Sequence, residues 1–129
     1  DAGKIYNTWP LMGTSYFPDD SKVINLFNLR AFSDPSLVQF MHRNLAYLIL
    51  VFYLFILVKI YKKKITILYK TINFIGIFLI LQISLGILTL LYGAQIILAS
   101  MHQISSIFLV SLSVYLFYIN TNTNLQLSN

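Results

Sequence analysis

Hydrophobic positions fall into three long blocks separated by short polar interruptions. The first apolar run lies between Pro35 and Lys59, the second from Thr71 to Tyr92, and the third from Ala94 to about Ile119. Each exceeds the ~20 residues a helix needs to cross the hydrocarbon of a bilayer. None alternates polar and apolar residues as a membrane-barrel strand does. Between Ser36 and Val58 stand fourteen Leu, Ile, Val or Phe residues. At roughly −0.3 to −0.6 kcal/mol each, they outweigh one Arg costing at most about +3.5 kcal/mol, and less near a helix end. The pattern predicts an all-α integral membrane helical bundle with three transmembrane helices.

Local punctuation agrees with these limits. Asp34-Pro35-Ser36 supplies a cap and a proline for the start of the first helix. Gly93 breaks the chain between the second and third runs and leaves a very short turn. Residues 1–35 are expected to form a loop, with Trp9, Tyr16, Phe17 and Phe27 suited to lying along the membrane interface. Residues 36–119 form the three-helix unit and 120–129 a polar tail. No internal repeat is visible, and nothing in the loop resembles a linker to a second soluble domain.

Composition supports the same class. Of 129 residues 57% are hydrophobic and only 10% charged, against about 45–50% and roughly 25% in a soluble domain. So few charges cannot cover a water-facing surface, and the apolar content is far above that of disordered chains. No cysteine is present, which removes disulfides, thiolate metal sites and cysteine nucleophiles together. The four acidic residues are all Asp (Asp1, Asp19, Asp20, Asp34), and there is no Glu.

The net charge of +5 raises nucleic acid as a partner, but its placement argues against one. Five of the nine basic residues (Lys59, Lys62, Lys63, Lys64, Lys70) sit between the first two apolar runs, rather than along a soluble face interleaved with aromatics. They read as a membrane-flanking loop on the cytoplasmic or matrix side. The first and third helices then both enter from the outer face, and the expected location is a bacterial inner (plasma) membrane or the mitochondrial inner membrane. No charged start followed by an apolar core marks a signal peptide. The chain begins with Asp1 rather than Met, so a processed product or a fragment is expected. Richness in Leu, Ile, Lys, Asn, Phe and Tyr is a mild pointer to an AT-rich genome.

The only two histidines, His42 and His102, both fall inside predicted spans. His42 stands six residues past Ser36, about 9 Å into its helix, and His102 eight past Ala94, about 12 Å in, at ~1.5 Å per residue. Both helices enter from the outer face, so the two rings sit within one turn of the same depth. Ionisable residues inside a membrane are functional candidates by default. Two neutral imidazoles at matched depth suit the axial positions of a heme iron held inside a bundle. The plainer alternative is that each ring hydrogen-bonds to a neighbouring helix and binds nothing. Zinc fits less well, since a structural site wants four ligands and neither Cys nor Glu is available.

The neighbouring residues leave both readings open. The face of His102 carries Ala99, Ser106, Leu109 and Ser113, and the middle helix carries Gln82, Gly86, Thr89 and Gly93 at helical spacing. Small residues admit either a macrocycle, with Gly86 and Thr89 against it, or another helix packed closely. Arg43 either snorkels to the outer interface or pairs with a heme propionate there.

These residues resemble a known family. Asp1-Ala2-Gly3, Tyr6-Asn7-Thr8-Trp9-Pro10-Leu11-Met12, Val38-Gln39-Phe40-Met41-His42-Arg43, Gln82 with Leu85-Gly86-Ile87-Leu88-Thr89-Leu90-Leu91, and Met101-His102-Gln103 are similar to segments of heme A synthase. They follow the family's order from Asp1 to about Ser106, and the likeness is to the cysteine-free mitochondrial and alphaproteobacterial form. The resemblance implies an eight-helix inner-membrane protein of two similar four-helix halves. That protein oxidises a methyl group of heme O to the formyl group of heme A, for cytochrome c oxidase.

The resemblance further implies that the chain belongs to the C-terminal half, whose histidine pair, matched here by His42 and His102, holds heme b as cofactor. Three of that half's four helices would be present; the first, which would end at the position of Ala2-Gly3, would be missing. The N-terminal half, which would bind heme O and carry a catalytic Glu, would be the partner, on the same or a separate chain. With no Glu, this chain would contribute a heme-binding half-domain rather than catalysis. The alternatives are an independent b-type electron-transfer cytochrome and a cofactor-free membrane assembly subunit.

Overall fold

The computed structural model describes residues 2–127. Three helices, α1 (Pro35–Lys62), α2 (Tyr69–Leu91) and α3 (Ile96–Leu127), account for most of them. Each contains a segment long and apolar enough to cross a membrane. Among the described residues there is no strand, only one isolated bridge between Met12 and Ser15. The all-α membrane bundle read from the apolar runs is the observed architecture.

Each helix end has a local cause. At the start of α1 the Asp34 carboxylate accepts from the Ser36 and Leu37 amides at 2.9 and 3.3 Å, and Pro35 opens the helix. Two of the amides that a helix start leaves unpaired are thereby satisfied. Its C-terminus runs three residues past Lys59, because lysine is a good helix former and Lys59 and Lys62 in the last turn oppose the negative end of the helix dipole. Lys64, in left-handed backbone with φ 54°, then turns the chain toward α2.

Gly93 (φ 68°) and Ala94 (φ 56°) make the α2–α3 turn. The Ala94 amide closes the last turn of α2 on the Thr89 carbonyl at 2.7 Å. The left-handed backbone of Ala94, outside the helical region, is why α3 begins at Ile96 rather than at Ala94. The helix also continues beyond Ile119 into the segment read as a polar tail. No Gly or Pro follows Gly93 to stop it, and the Thr121 hydroxyl folds back on the Phe117 carbonyl at 2.9 Å.

The buried cluster of the bundle lies at the lysine end. Ile60 of α1 and Ile72 and Ile75 of α2 form a buried cluster with Leu68, and Leu109, Leu112, Leu116 and Ile119 of α3 pack against it. α2 packs along α3 and more lightly on α1, whereas α1 and α3 barely approach through their backbones. Between α1 and α2 the contact depends on Gly76. A Cβ there would stand 2.2 Å from Tyr53 Oη, and that hydroxyl donates to the Ile72 carbonyl at 3.3 Å. Large apolar side chains such as Phe52, Ile80 and Ile107 point outward, as lipid-facing positions do.

Residues 2–34 fold back on the opposite end, against the first turns of α1. Gln39 takes Tyr6 by its backbone from both sides, the Tyr6 amide donating to Oε1 at 3.2 Å and Nε2 donating to the Tyr6 carbonyl at 3.0 Å. Trp9 Nε1 donates to Tyr47 Oη at 3.1 Å. Asp20 accepts from the Ser36 hydroxyl at 2.7 Å and the Tyr6 hydroxyl at 3.0 Å. The Ser36 hydrogen bond leads in holding the Asp20 carboxyl below its usual range, and the Tyr6 one adds to it. Trp9, Tyr16 and Phe27 stay exposed while Phe17 is half-buried, packed edge-on against Phe40.

Candidate histidine site

His42 and His102 face each other where α1 and α3 diverge. Their ring centres are 6.3 Å apart and their planes meet at 75°. His42 lies in the second turn of α1 and His102 in the second turn of α3, so the two rings stand level along the bundle. The two backbones barely approach, so the contact between α1 and α3 at this level is made by the rings themselves. His42 also lines an open apolar groove of about 680 Å³ with Phe32, Phe40, Met41, Leu45 and Leu48.

The two rings are held very differently. His42 makes no hydrogen bond within the described structure. His102 is engaged at both nitrogens by one residue of α2: Nδ1 lies 3.1 Å from the Gln82 carbonyl and Nε2 3.2 Å from Gln82 Nε2. A carbonyl oxygen can only accept, so Nδ1 carries the proton and Nε2 the lone pair. The Gln82 amide N–H donates to that lone pair, which turns Gln82 Oε1 toward the Ser105 hydroxyl. The same hydroxyl lies 3.0 Å from the His102 carbonyl, and Ser105 is buried.

Gly86 completes the seat of the ring. A Cβ built on it would stand 3.0 Å from His102 Cε1 and 3.5 Å from Nδ1, so the bare backbone is what lets the imidazole lie on α2. Thr89, one turn further along, has a buried hydroxyl oxygen with no partner among the described residues. Arg43 reaches the loop: Nη1 donates to the Leu11 carbonyl and Nη2 to the Tyr6 carbonyl, both at 3.1 Å. Its Nε is buried and unpartnered. Gln39 and Arg43, one helical turn apart, therefore grip the same Tyr6 backbone.

Ser105 and Gln39 were not singled out from the sequence. Ser106, which was, bonds within its own helix to the Gln103 carbonyl. Three residues beyond His102 as well as four are on its face, and the structure uses the former. Gln39 carried one legible signal, a lone amide one turn before His42 in an otherwise apolar stretch. No group of three or more His, Cys, Asp or Glu residues capable of holding a metal ion occurs among the described residues.

Three helices apolar and long enough to cross a membrane, packed around a buried cluster at one end and bringing two imidazole rings together at the other, define a membrane-protein helical bundle. The chain belongs to the cytochrome oxidase assembly protein family COX15-CtaA, which matches residues 1–114. It is 43% identical over 122 residues to heme A synthase of Pelagibacter ubique, covering 95% of this chain and 36% of that protein. Heme A synthase of Rickettsia felis is 43% identical over 122 residues, covering 92% and 35%. That of Rickettsia bellii is 38% identical over 123 residues, covering 95% and 36%. The chain thus spans about a third of the length of the curated relatives it matches. No solved structure matches it significantly.

Proposed function

We propose that this chain is the part of a heme A synthase in which His42 and His102 hold a heme b between α1 and α3. The observation that carries the reading is the 6.3 Å between ring centres. Two imidazoles on one metal ion, each bonded at about 2.0–2.1 Å, put their ring centres roughly 6 Å apart. The apolar groove beside His42, lined by α1 and by Leu26 and Phe32 of the loop, would take one apolar edge of a flat macrocycle. The donation of His102 Nδ1–H to a main-chain carbonyl is the outer partner that metal-bound histidines commonly have.

When bound, the group would supply one-electron transfer, and His42 and His102 would hold its iron. The chain's own residues do the rest. His42 and His102 present neutral imidazole nitrogens, Gly86 leaves the space in which the His102 ring lies, and Thr89 offers an unpaired hydroxyl beside it. Arg43 pins the loop over the outer end, and its Nε is the donor left for a propionate. The complete protein would oxidise the heme O methyl group to the formyl group of heme A in a bacterial or mitochondrial inner membrane. The sequence contains no Glu, so a catalytic Glu and the heme O site would come from the remaining part of the synthase, on the same or another chain.

A cofactor-free packing role is the second reading, favoured by the fact that Gln82 already satisfies both nitrogens of His102. The two are separated by replacing His42 or His102 with Leu in the full coding context and measuring the heme A to heme O ratio of extracted membranes. We expect heme A to fall at least tenfold in each variant. Unchanged heme A in stably accumulated variants would favour the packing role.

A further inference from the structure

We infer that Gln82 is a positioning residue that selects Nε2 of His102 as the iron-binding nitrogen and occupies it until the cofactor arrives. The inference deepens the heme reading above and rests on it. It is carried by two contacts from one residue. The Gln82 carbonyl is fixed in the backbone of α2 and accepts from His102 Nδ1–H at 3.1 Å. A main-chain carbonyl cannot turn over to become a donor, so the tautomer is locked with the lone pair on Nε2. The Gln82 side chain, in contrast, rotates. Its amide donates to Nε2 at 3.2 Å while Ser105 holds the amide oxygen.

The fixed half and the movable half of Gln82 therefore have different fates. When iron binds, the Nε2 lone pair exchanges its hydrogen bond from the Gln82 amide for a bond to the metal, and no electron is transferred. The Nδ1–H···O=C contact is retained and keeps the ring oriented. The side-chain amide must swing away, with Ser105 as its remaining partner. Before that, the lone pair of a half-buried imidazole is kept satisfied, which avoids the cost of an unpaired polar group. His42, without any such partner, stands open on the groove, so the cofactor meets His42 first and displaces Gln82 second.

The test compares the full-length protein with Gln82→Leu and Ser105→Ala, purified without heme, by nitrogen NMR of the histidine rings and by stopped-flow uptake of hemin. In the parent protein His102 should show a protonated Nδ1 and an Nε2 resonance displaced by a hydrogen bond. Gln82→Leu should move Nε2 to the position of a free lone pair and leave Nδ1 unchanged, because the main-chain carbonyl remains. Hemin uptake should rise roughly three- to tenfold, the worth of one hydrogen bond, with Ser105→Ala in between. An Nε2 resonance identical in parent and Gln82→Leu protein, or uptake at the same rate in both, would overturn the inference. If the parent binds no hemin at all, the heme reading and the displacement fail together, while the nitrogen resonances still decide whether Gln82 sets the tautomer.

Discussion

A methyl group placed on Gly86 would stand 3.0 Å from Cε1 of His102. The histidine is therefore seated by the absence of a side chain on the helix opposite. Gly86→Ala should gain about 1 kcal/mol of helix propensity and at the same time force the ring off α2, an overpacking cost of about 1–3 kcal/mol. We expect near-parental helix content by circular dichroism with heme content reduced several-fold. Parental heme content in Gly86→Ala would show that the ring does not need this seat.

Arg43 ties the outer loop to α1 through the carbonyls of Tyr6 and Leu11. Lysine carries the same charge but not the planar fork that reaches both. Hydrogen bonds to charged groups contribute about 1.5–3 kcal/mol each, reduced where the group is partly solvated. Arg43→Lys should accelerate amide hydrogen exchange over residues 6–12 while leaving exchange in α2 unchanged. Equal exchange across the loop would mean that Gln39 alone holds it.

Tyr53 and Gly76 are coupled in the same sense as His102 and Gly86. Gly76→Ala places a methyl 2.2 Å from Tyr53 Oη and should lower thermal stability by about 1–3 kcal/mol. Tyr53→Phe removes the clashing atom, so the double variant should be more stable than Gly76→Ala alone, a non-additivity expected only of residues in contact. Strict additivity in the thermal midpoints would contradict the contact.

Docking of the loop should weaken in acid. The Asp20 carboxyl is held below its usual range, first by the Ser36 hydroxyl. A carboxyl whose pKa is lower in the folded state contributes stability above its unfolded value, near 4, and loses it as pH falls through the folded value. Protease cleavage between residues 14 and 33 should thus increase below about pH 4, and Ser36→Ala should move that onset upward. An onset unaffected by Ser36→Ala would remove Asp20 from the cause.

The three helices were legible because a lipid-spanning run is a one-dimensional signal, and the lysines between Lys59 and Lys70 mark one end of the bundle. The level placement of His42 and His102 followed from counting residues from the helix starts. The hold on His102 was not legible, because it is a contact between helices: Gln82 and Ser105 are 23 residues apart and no spacing rule joins them. Arg43 was read toward the interface or a propionate, whereas its Nη atoms reach the backbone of a loop whose path no local pattern reveals. Residues 120–127 continue α3, because Asn and Thr lower helix propensity without ending a helix as Gly or Pro would.

The central claim is that His42 and His102 share one iron. The most direct measurement is the reduced-minus-oxidised optical spectrum of the full-length protein beside His42→Ala and His102→Ala. We expect a sharp low-spin heme b signal in the parent, lost or converted to a high-spin form in both variants. Parental spectra in the two variants, or a heme signal that depends on neither residue, would contradict the account.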